Sequence, residues 1–238
     1  MGTMDKDRLC KTCMGSQVEC PGHFGHIALV KPVYHGNMLD YIRKVLRCVC
    51  FNCGNLLATG PQHIEDLKNK QRIRTMKSRF NAVVKLSQTI KACHVCQRFN
   101  HKYKKAPLRI DYEINDQEEK DQKQMVDRKQ TLWPEDAKKI LDMIRPDHLK
   151  MLGLDKNRSN PCNMIIENLA VAPPPVRPSV AMTNSMRSED DLTVAYKQII
   201  KLNNEIKKMI HTGNNEVSIR DSRAVLQFFT ASVMDNDI

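Results

Sequence analysis

Short cysteine spacings constrain this chain more than any other feature. Cys10-x2-Cys13-x6-Cys20-x2-His23 places three thiols and one imidazole within fourteen residues. Two ligands three positions apart form a knuckle that reaches one ion, and two knuckles complete the tetrahedron Zn²⁺ accepts. All four positions are protein ligands, so no site is left for water and the spacing predicts a structural zinc. Gly22 and Gly25 permit the tight turn, and His26, a competing ligand, is expected beside the ligands or at the surface. A second set combines Cys50-x2-Cys53-Gly54 with Cys93-x2-Cys96. Cys48 is an alternative to Cys50, although a two-residue gap suits Cys50 with Cys53 better. An ion at this set would staple the following basic helix against residues 36–60, and metal binding would be part of the folding free energy.

Little else in the composition promises a large core. Aromatics make up 5% and mean hydropathy is −0.51, so metal is expected to supplement apolar burial. No run of 18 apolar residues and no charged-then-apolar leader is present, so no membrane partner is expected. In a reducing compartment, clustered cysteines read as ligands before disulfides. The net charge of +11 is local. Residues 67–110 hold thirteen Lys or Arg and no Asp or Glu, while the other 25 bases face 27 acids. Such a field attracts a polyanion, nucleic acid above all. Lys68, Lys70, Arg72, Arg74, Lys77, Arg79, Arg177 and Arg187 are the candidate contacts, with Phe80, Phe99 and Tyr103 available for base stacking. The competing reading is a solvated helix face opposite an acidic subunit.

Helical periodicity is predicted over 38–49 and through a basic helix over 64–91, where Ile64, Leu67, Ile73, Met76, Phe80, Val83, Val84 and Ile90 recur. Residues 111–130 read as a solvated loop or frayed helix. Pro134 opens a helix to about Ile144, Pro146–Leu152 a shorter one closed by Gly153, and Met164–Leu169 reads as a strand. Pro173–Pro178 reads as an extended spacer, followed by an exposed loop over 179–190. Ser188 is the expected cap of a long helix with Leu192, Ala195, Tyr196, Ile199, Leu202, Ile206 and Ile210 on its apolar face. A turn over His211–Asn215 leads to a second helix from about Ile219, packing through Val225, Leu226, Phe228, Phe229 and Val233. The pair predicts an antiparallel hairpin.

No active site is legible. The Cys-x2-Cys pairs lack the strand-then-helix setting of a thioredoxin-type motif, Cys162 reads as an ordinary thiol, and Asp235 and Asp237 read as a solvated helix end. No catalytic residue is assigned.

Several segments carry a resemblance. Cys10-Lys-Thr-Cys13, Glu19-Cys-Pro-Gly-His-Phe-Gly-His-Ile27 and Lys31-Pro-Val-Tyr-His35 resemble the start of the clamp in the largest subunit of cellular RNA polymerases. Val49-Cys-Phe-Asn-Cys-Gly-Asn-Leu-Leu57 resembles its second zinc knuckle. Ala172-Pro-Pro-Pro-Val-Arg-Pro-Ser179, Glu189-Asp-Asp-Leu-Thr193, Leu226-Gln-Phe228 and Met234-Asp-Asn-Asp-Ile238 look most like the RNA polymerase II version. One departure is the spacing of Cys93 and Cys96, which is closer to archaeal and polymerase III relatives.

The resemblance implies an α+β fold, mainly helical with little sheet: a zinc-stapled clamp ending in a helical hairpin. It divides the chain into a clamp head (1–110), a clamp core (111–178) with the polar insertion 111–130 and the Pro-rich spacer 173–178, a lid-like loop (179–189) and the hairpin (190–238). The chain is then expected to be a fragment of a nuclear DNA-directed RNA polymerase subunit, with two structural zinc ions. The Mg²⁺ of nucleotide addition would belong to an Asp-rich motif that these 238 residues lack. Implied partners are template DNA, the DNA–RNA hybrid, the second-largest and smaller subunits, and initiation and NusG-like elongation factors at a hairpin tip formed by His211, Thr212, Gly213, Asn214 and Asn215. The alternative is a free-standing zinc-dependent nucleic-acid-binding or protein-interaction module.

Overall fold

The structure, a computed structural model, describes residues 1–4, 7–114, 129–181, 187–235 and 237, without the side chains of residues 181 and 187. The chain forms two compact units: residues 1–33 with 166–238, and residues 34–165. The two cysteine sets, grouped in one head by the sequence reading, therefore fall in different units. The class is α+β, and no helix among the described residues is long and apolar enough to cross a membrane.

In the unit of residues 34–165, α1 (Leu39–Leu46) buries Leu39, Ile42, Val45 and Leu46 against the main apolar core. The expected single basic helix is two: α2 (Ile64–Gln71) and α3 (Met76–Ser87), with Thr75 extended between them. Geometry requires the break. Leu67 and Phe80 are both buried, yet thirteen residues at about 100° each would set them roughly 140° apart on one continuous helix. Strands β2 (Lys102–Ala106), β3 (Arg109–Glu113) and β4 (Lys129–Leu132) then form an antiparallel sheet.

This sheet corrects the reading of 111–130 as a loop or frayed helix at both of its ends. The middle, 115–128, lies outside the described residues. Outward charges on β2 and β3 mask the alternation that turns Tyr103 and Ile110 inward. Asp111 is buried and accepts from Thr131 Oγ1 at 3.1 Å, with Arg109 Nε at 3.3 Å and Lys129 Nζ at 3.4 Å. α4 (Pro134–Asp142) and α5 (Pro146–Met151) each carry Pro at the first helical turn, as their sequences predict, and Gly153 (φ +79°) follows α5.

In the other unit, β1 (Gly25–Tyr34) pairs with β5 (Ile165–Val171), and a short pair joins β6 (Val180–Ala181) to β7 (Arg187–Ser188). Residues 173–178 are not an extended spacer: Pro174–Val176 is one 3-10 turn, and Pro173 is buried against Gly22. Gly22, at φ +84°, has no room for a Cβ, which would lie 2.8 Å from Pro173 Cβ.

Two long helices follow, α6 (Asp191–His211) and α7 (Glu216–Met234), joined by residues 212–215 and packed through Ile199, Ile206 and Leu226. The cap of α6 is Asp190, whose carboxylate accepts from Leu192 N–H at 2.9 Å, and not Ser188, which lies in β7. α7 starts three residues earlier than expected because Asn215 caps it through Val217 N–H. Val225 and Phe228 are exposed, while Gln227 and Thr230 are buried.

Candidate metal centres

Three of the four knuckles share one backbone geometry. At Cys10, Cys50 and Cys93, the residue five positions on (Gly15, Asn55, Arg98) accepts a hydrogen bond from the cysteine N–H at 2.9 Å. The cysteine carbonyl accepts in turn from the N–H four positions on: Met14 at 2.7 Å, Gly54 and Gln97 at 3.0 Å. Those three residues have φ between +59° and +65°. The curl turns both side chains of a Cys-x2-Cys pair toward one point. Met14 and Gln97 are exposed, so a side chain is tolerated there. Gly54 is different: a Cβ would lie 2.6 Å from both Cβ and O of Met143 at the end of α4.

The donor atoms of Cys10, Cys13, Cys20 and His23 all lie within 4.8 Å of one another, and so do those of Cys50, Cys53, Cys93 and Cys96. Cys50 Sγ is 3.4 Å from Cys96 Sγ, Cys53 Sγ is 3.6 Å from Cys93 Sγ, and Cys20 Sγ is 3.6 Å from His23 Nε2. A zinc tetrahedron with bonds of about 2.3 Å has sulfur–sulfur edges of about 3.8 Å. Both donor sets fit such an ion. They do so chemically as well, because four sulfur or nitrogen donors this close cannot all lose their protons without a cation among them.

The titration of the thiols follows the same logic. Hydrogen bonds from the backbone at Cys13 and Thr12 pull Cys10 down to about 6. At Cys13 the Gly15 backbone lowers the value, but burial and the neighbouring Cys20 and Cys10 outweigh it and the net shift is upward. Burial pushes Cys50 and Cys93 up. At Cys96 burial is overcome by the Arg98 backbone and the Cys50 and Cys93 side chains, for a value of about 7.

Cys48 is separate from the second set. It is fully buried, donates to Lys44 O at 3.2 Å, and burial holds its thiol at about 12. His26 is exposed on β1, and Cys162 is buried and donates to Asp142 Oδ1 at 2.9 Å. Sequence reasoning missed two braces of the second set. Asn55 donates Nδ2–H to Cys53 Sγ at 3.3 Å, and buried His148 on α5 accepts from Leu56 N–H at 3.3 Å through Nδ1. Asn55 carried a faint signal in its position two after Cys53. His148, 92 residues away, carried none.

The candidate nucleic-acid contacts separate into two groups. Lys68, Arg72, Arg74 and Lys77 are exposed on α2, α3 and the link between them, and Lys70 is half-buried. Arg79 instead holds that link, donating from Nε and Nη2 to Ile73 O at 3.2 and 3.0 Å. Arg177 donates to Ala172 O at 2.8 Å and Thr193 Oγ1 at 2.9 Å and lies over the Tyr196 ring. Arg187 lies outside the described side chains. Phe80, stacked on Tyr41, and Tyr103 are buried, so neither can stack on a base. His211, Thr212, Gly213, Asn214 and Asn215 are all exposed between α6 and α7.

The sequence is similar to subunits of RNA polymerases. DNA-directed RNA polymerase II subunit RPB1 of Euplotoides octocarinatus is 40% identical over the whole chain, which covers 51% of that protein. DNA-directed RNA polymerase subunit Rpo1N of Methanocaldococcus jannaschii is 33% identical, again over the whole chain, which covers 17% of it. The chain thus spans about half the length of the first relative and about a sixth of the second. The sequence model of the family described as RNA polymerase Rpb1, domain 1, matches residues 1–238, and the chain belongs to that family.

Proposed function

We propose that this chain forms the clamp of an RNA polymerase II largest subunit in the nucleus, closing over template DNA and the DNA–RNA hybrid during transcription. The observation that carries the reading is a pair of four-donor sets, each sized for a tetrahedral ion, in a chain matched along its full length by one polymerase family. Zinc, when bound, supplies the positive charge that lets the thiols ionise and a rigid centre for each fold. Cys10, Cys13, Cys20 and His23 hold one ion, and Cys50, Cys53, Cys93 and Cys96 the other. Neither has a place for water, so both are structural.

On this reading residues 1–110, which include parts of both compact units, act as clamp head, and 111–178, 179–189 and 190–238 as clamp core, lid and hairpin. Exposed bases on α2 and α3 draw the phosphate backbone without reading sequence. The exposed tip His211–Asn215 docks initiation and NusG-like elongation factors. The second-largest and smaller polymerase subunits complete the assembly. Extension of RNA, with its Mg²⁺ chemistry, is assigned to no residue of these 238.

Purification through a tag on this chain from its source tests the proposal. Recovery with a second-largest polymerase subunit and template-dependent nucleotide incorporation supports it, and recovery of the polypeptide alone refutes it. In the same preparation, Cys13→Ser and Cys53→Ser should each lower the zinc content by one ion per chain. An unchanged content would remove that site from the reading.

A further inference from the structure

The thirteen bases of residues 67–110 are not equivalent in the fold. Lys104 and Arg109 pair with Glu113 and Asp111, and Arg79 is bound to Ile73 O. Among the described residues Lys70 and Lys85 have no carboxylate within ion-pair distance. Both line an open cleft of about 640 Å³ between α2 and α3, together with Asp66, Ser78 and Asn81 and with Ala82 and Leu86 on its apolar side.

Helix periodicity builds this cleft. Ser78, Asn81 and Lys85 follow one another at i, i+3 and i+7 on α3, and Asp66 and Lys70 at i and i+4 on α2. The opposite side of α3 buries Phe80, Val83, Val84 and Ser87, so core packing turns the cleft residues outward. The exposed row on α3 is about 10 Å long at 1.5 Å per residue.

We propose that the α2–α3 cleft seats the sugar–phosphate backbone of a nucleic acid strand, with Lys70 and Lys85 as cations and Ser78 and Asn81 as neutral donors. This rests on the reading of the chain as a nucleic-acid-contacting polymerase clamp. Lys, Ser and Asn are among the side chains that bond phosphate oxygens. A protein partner would favour other chemistry, since interface cores are enriched in aromatic residues and Arg and depleted in Lys and Ser. No aromatic ring lines the cleft, so bases are not read there. Asp66, one turn before Lys70, repels phosphate on the α2 side and leaves the row on α3 as the main seat.

The test uses the assembled polymerase and a short nucleic-acid scaffold, measuring affinity against salt. Lys70→Gln with Lys85→Gln should flatten the slope of log K against log salt by about 0.7–0.9 for each phosphate no longer neutralised. Ser78→Ala with Asn81→Ala should weaken binding several-fold with the slope unchanged. Lys68→Gln with Arg72→Gln and Arg74→Gln is the control outside the cleft. If only the control flattens the slope, the cleft assignment falls and the nucleic-acid reading stands. If neither does, both fall. A photoreactive side chain in place of Ser78 should crosslink to nucleic acid, and crosslinking to a polypeptide alone would overturn the proposal in favour of an acidic protein surface.

Discussion

Asn203 lies on the apolar face of α6, where periodicity calls for a hydrocarbon. Its side chain is 8% exposed, accepts from Val30 N–H at 2.8 Å and donates to Ala28 O at 2.9 Å. Residues 28 and 30 present these groups on the same edge of β1, so the amide stands in for the peptide of a neighbouring strand. Replacing Asn203 by Leu keeps the branched shape and removes both bonds, at a cost of about 2 kcal/mol from two bonds near 1 kcal/mol each. Asn203→Asp should cost more, about 3–5 kcal/mol at neutral pH, because a carboxylate oxygen would face the Ala28 carbonyl in a site with little water. Burial and that carbonyl raise the folded pKa of the new Asp, so the variant should regain stability as pH falls, when its protonated oxygen can donate. Hydrogen exchange at the Val30 amide reads the interaction directly. A 2 kcal/mol loss corresponds to roughly 30-fold faster exchange from the opened state. If Asn203→Leu leaves that amide as protected as before, the side chain does not hold α6 to β1 and the reasoning fails.

Two further perturbations test the second unit. Gly54→Ala should destabilise by about 2–4 kcal/mol, from a strained φ and overpacking against Met143. Gln97→Gly, at the equivalent knuckle position, should gain about 1 kcal/mol in urea titrations by relieving the same positive φ. A Gly54→Ala loss no larger than that gain would mean that φ, and not the approach of Met143, decides. His101 stacks on Phe51 at 4.0 Å, and burial holds it at about 4. The unfolded ring binds its proton near 6.5, so between pH 6.5 and 4 the unfolded state is favoured and stability falls with pH, by about 2 kcal/mol after solvent screening. His101→Phe should remove that part of the pH dependence. Parallel stability curves for the two proteins would exclude it.

What could be read along the chain was local or periodic. The Cys-x2-Cys spacings, Pro134 and Pro146 at helix starts and the apolar rows of α6 each depend on neighbours within about two turns. The sequence misleads where distant partners decide. The break between α2 and α3 serves the simultaneous burial of Leu67 and Phe80. β3 and β4 are stabilised by each other across residues 115–128, so 111–113 and 129–130 alone look like loop. Arg177 resembles a free cation in the sequence, yet Ala172, Thr193 and Tyr196 surround it in the fold.

By itself the sequence determined seven of the eight side chains that can hold two ions, leaving Cys48 or Cys50 as the eighth, because Cys-x2-Cys and Cys-x2-His spacings are local. It also determined the family, through motifs in order along the whole chain. Only the tertiary structure decided that Cys50, and not Cys48, joins Cys93 and Cys96, since those pairs are some forty residues apart and meet through packing. It alone decided which bases are exposed and which are bound to carbonyls and carboxylates. Charge is a property of composition, but its availability depends on what the fold places beside it.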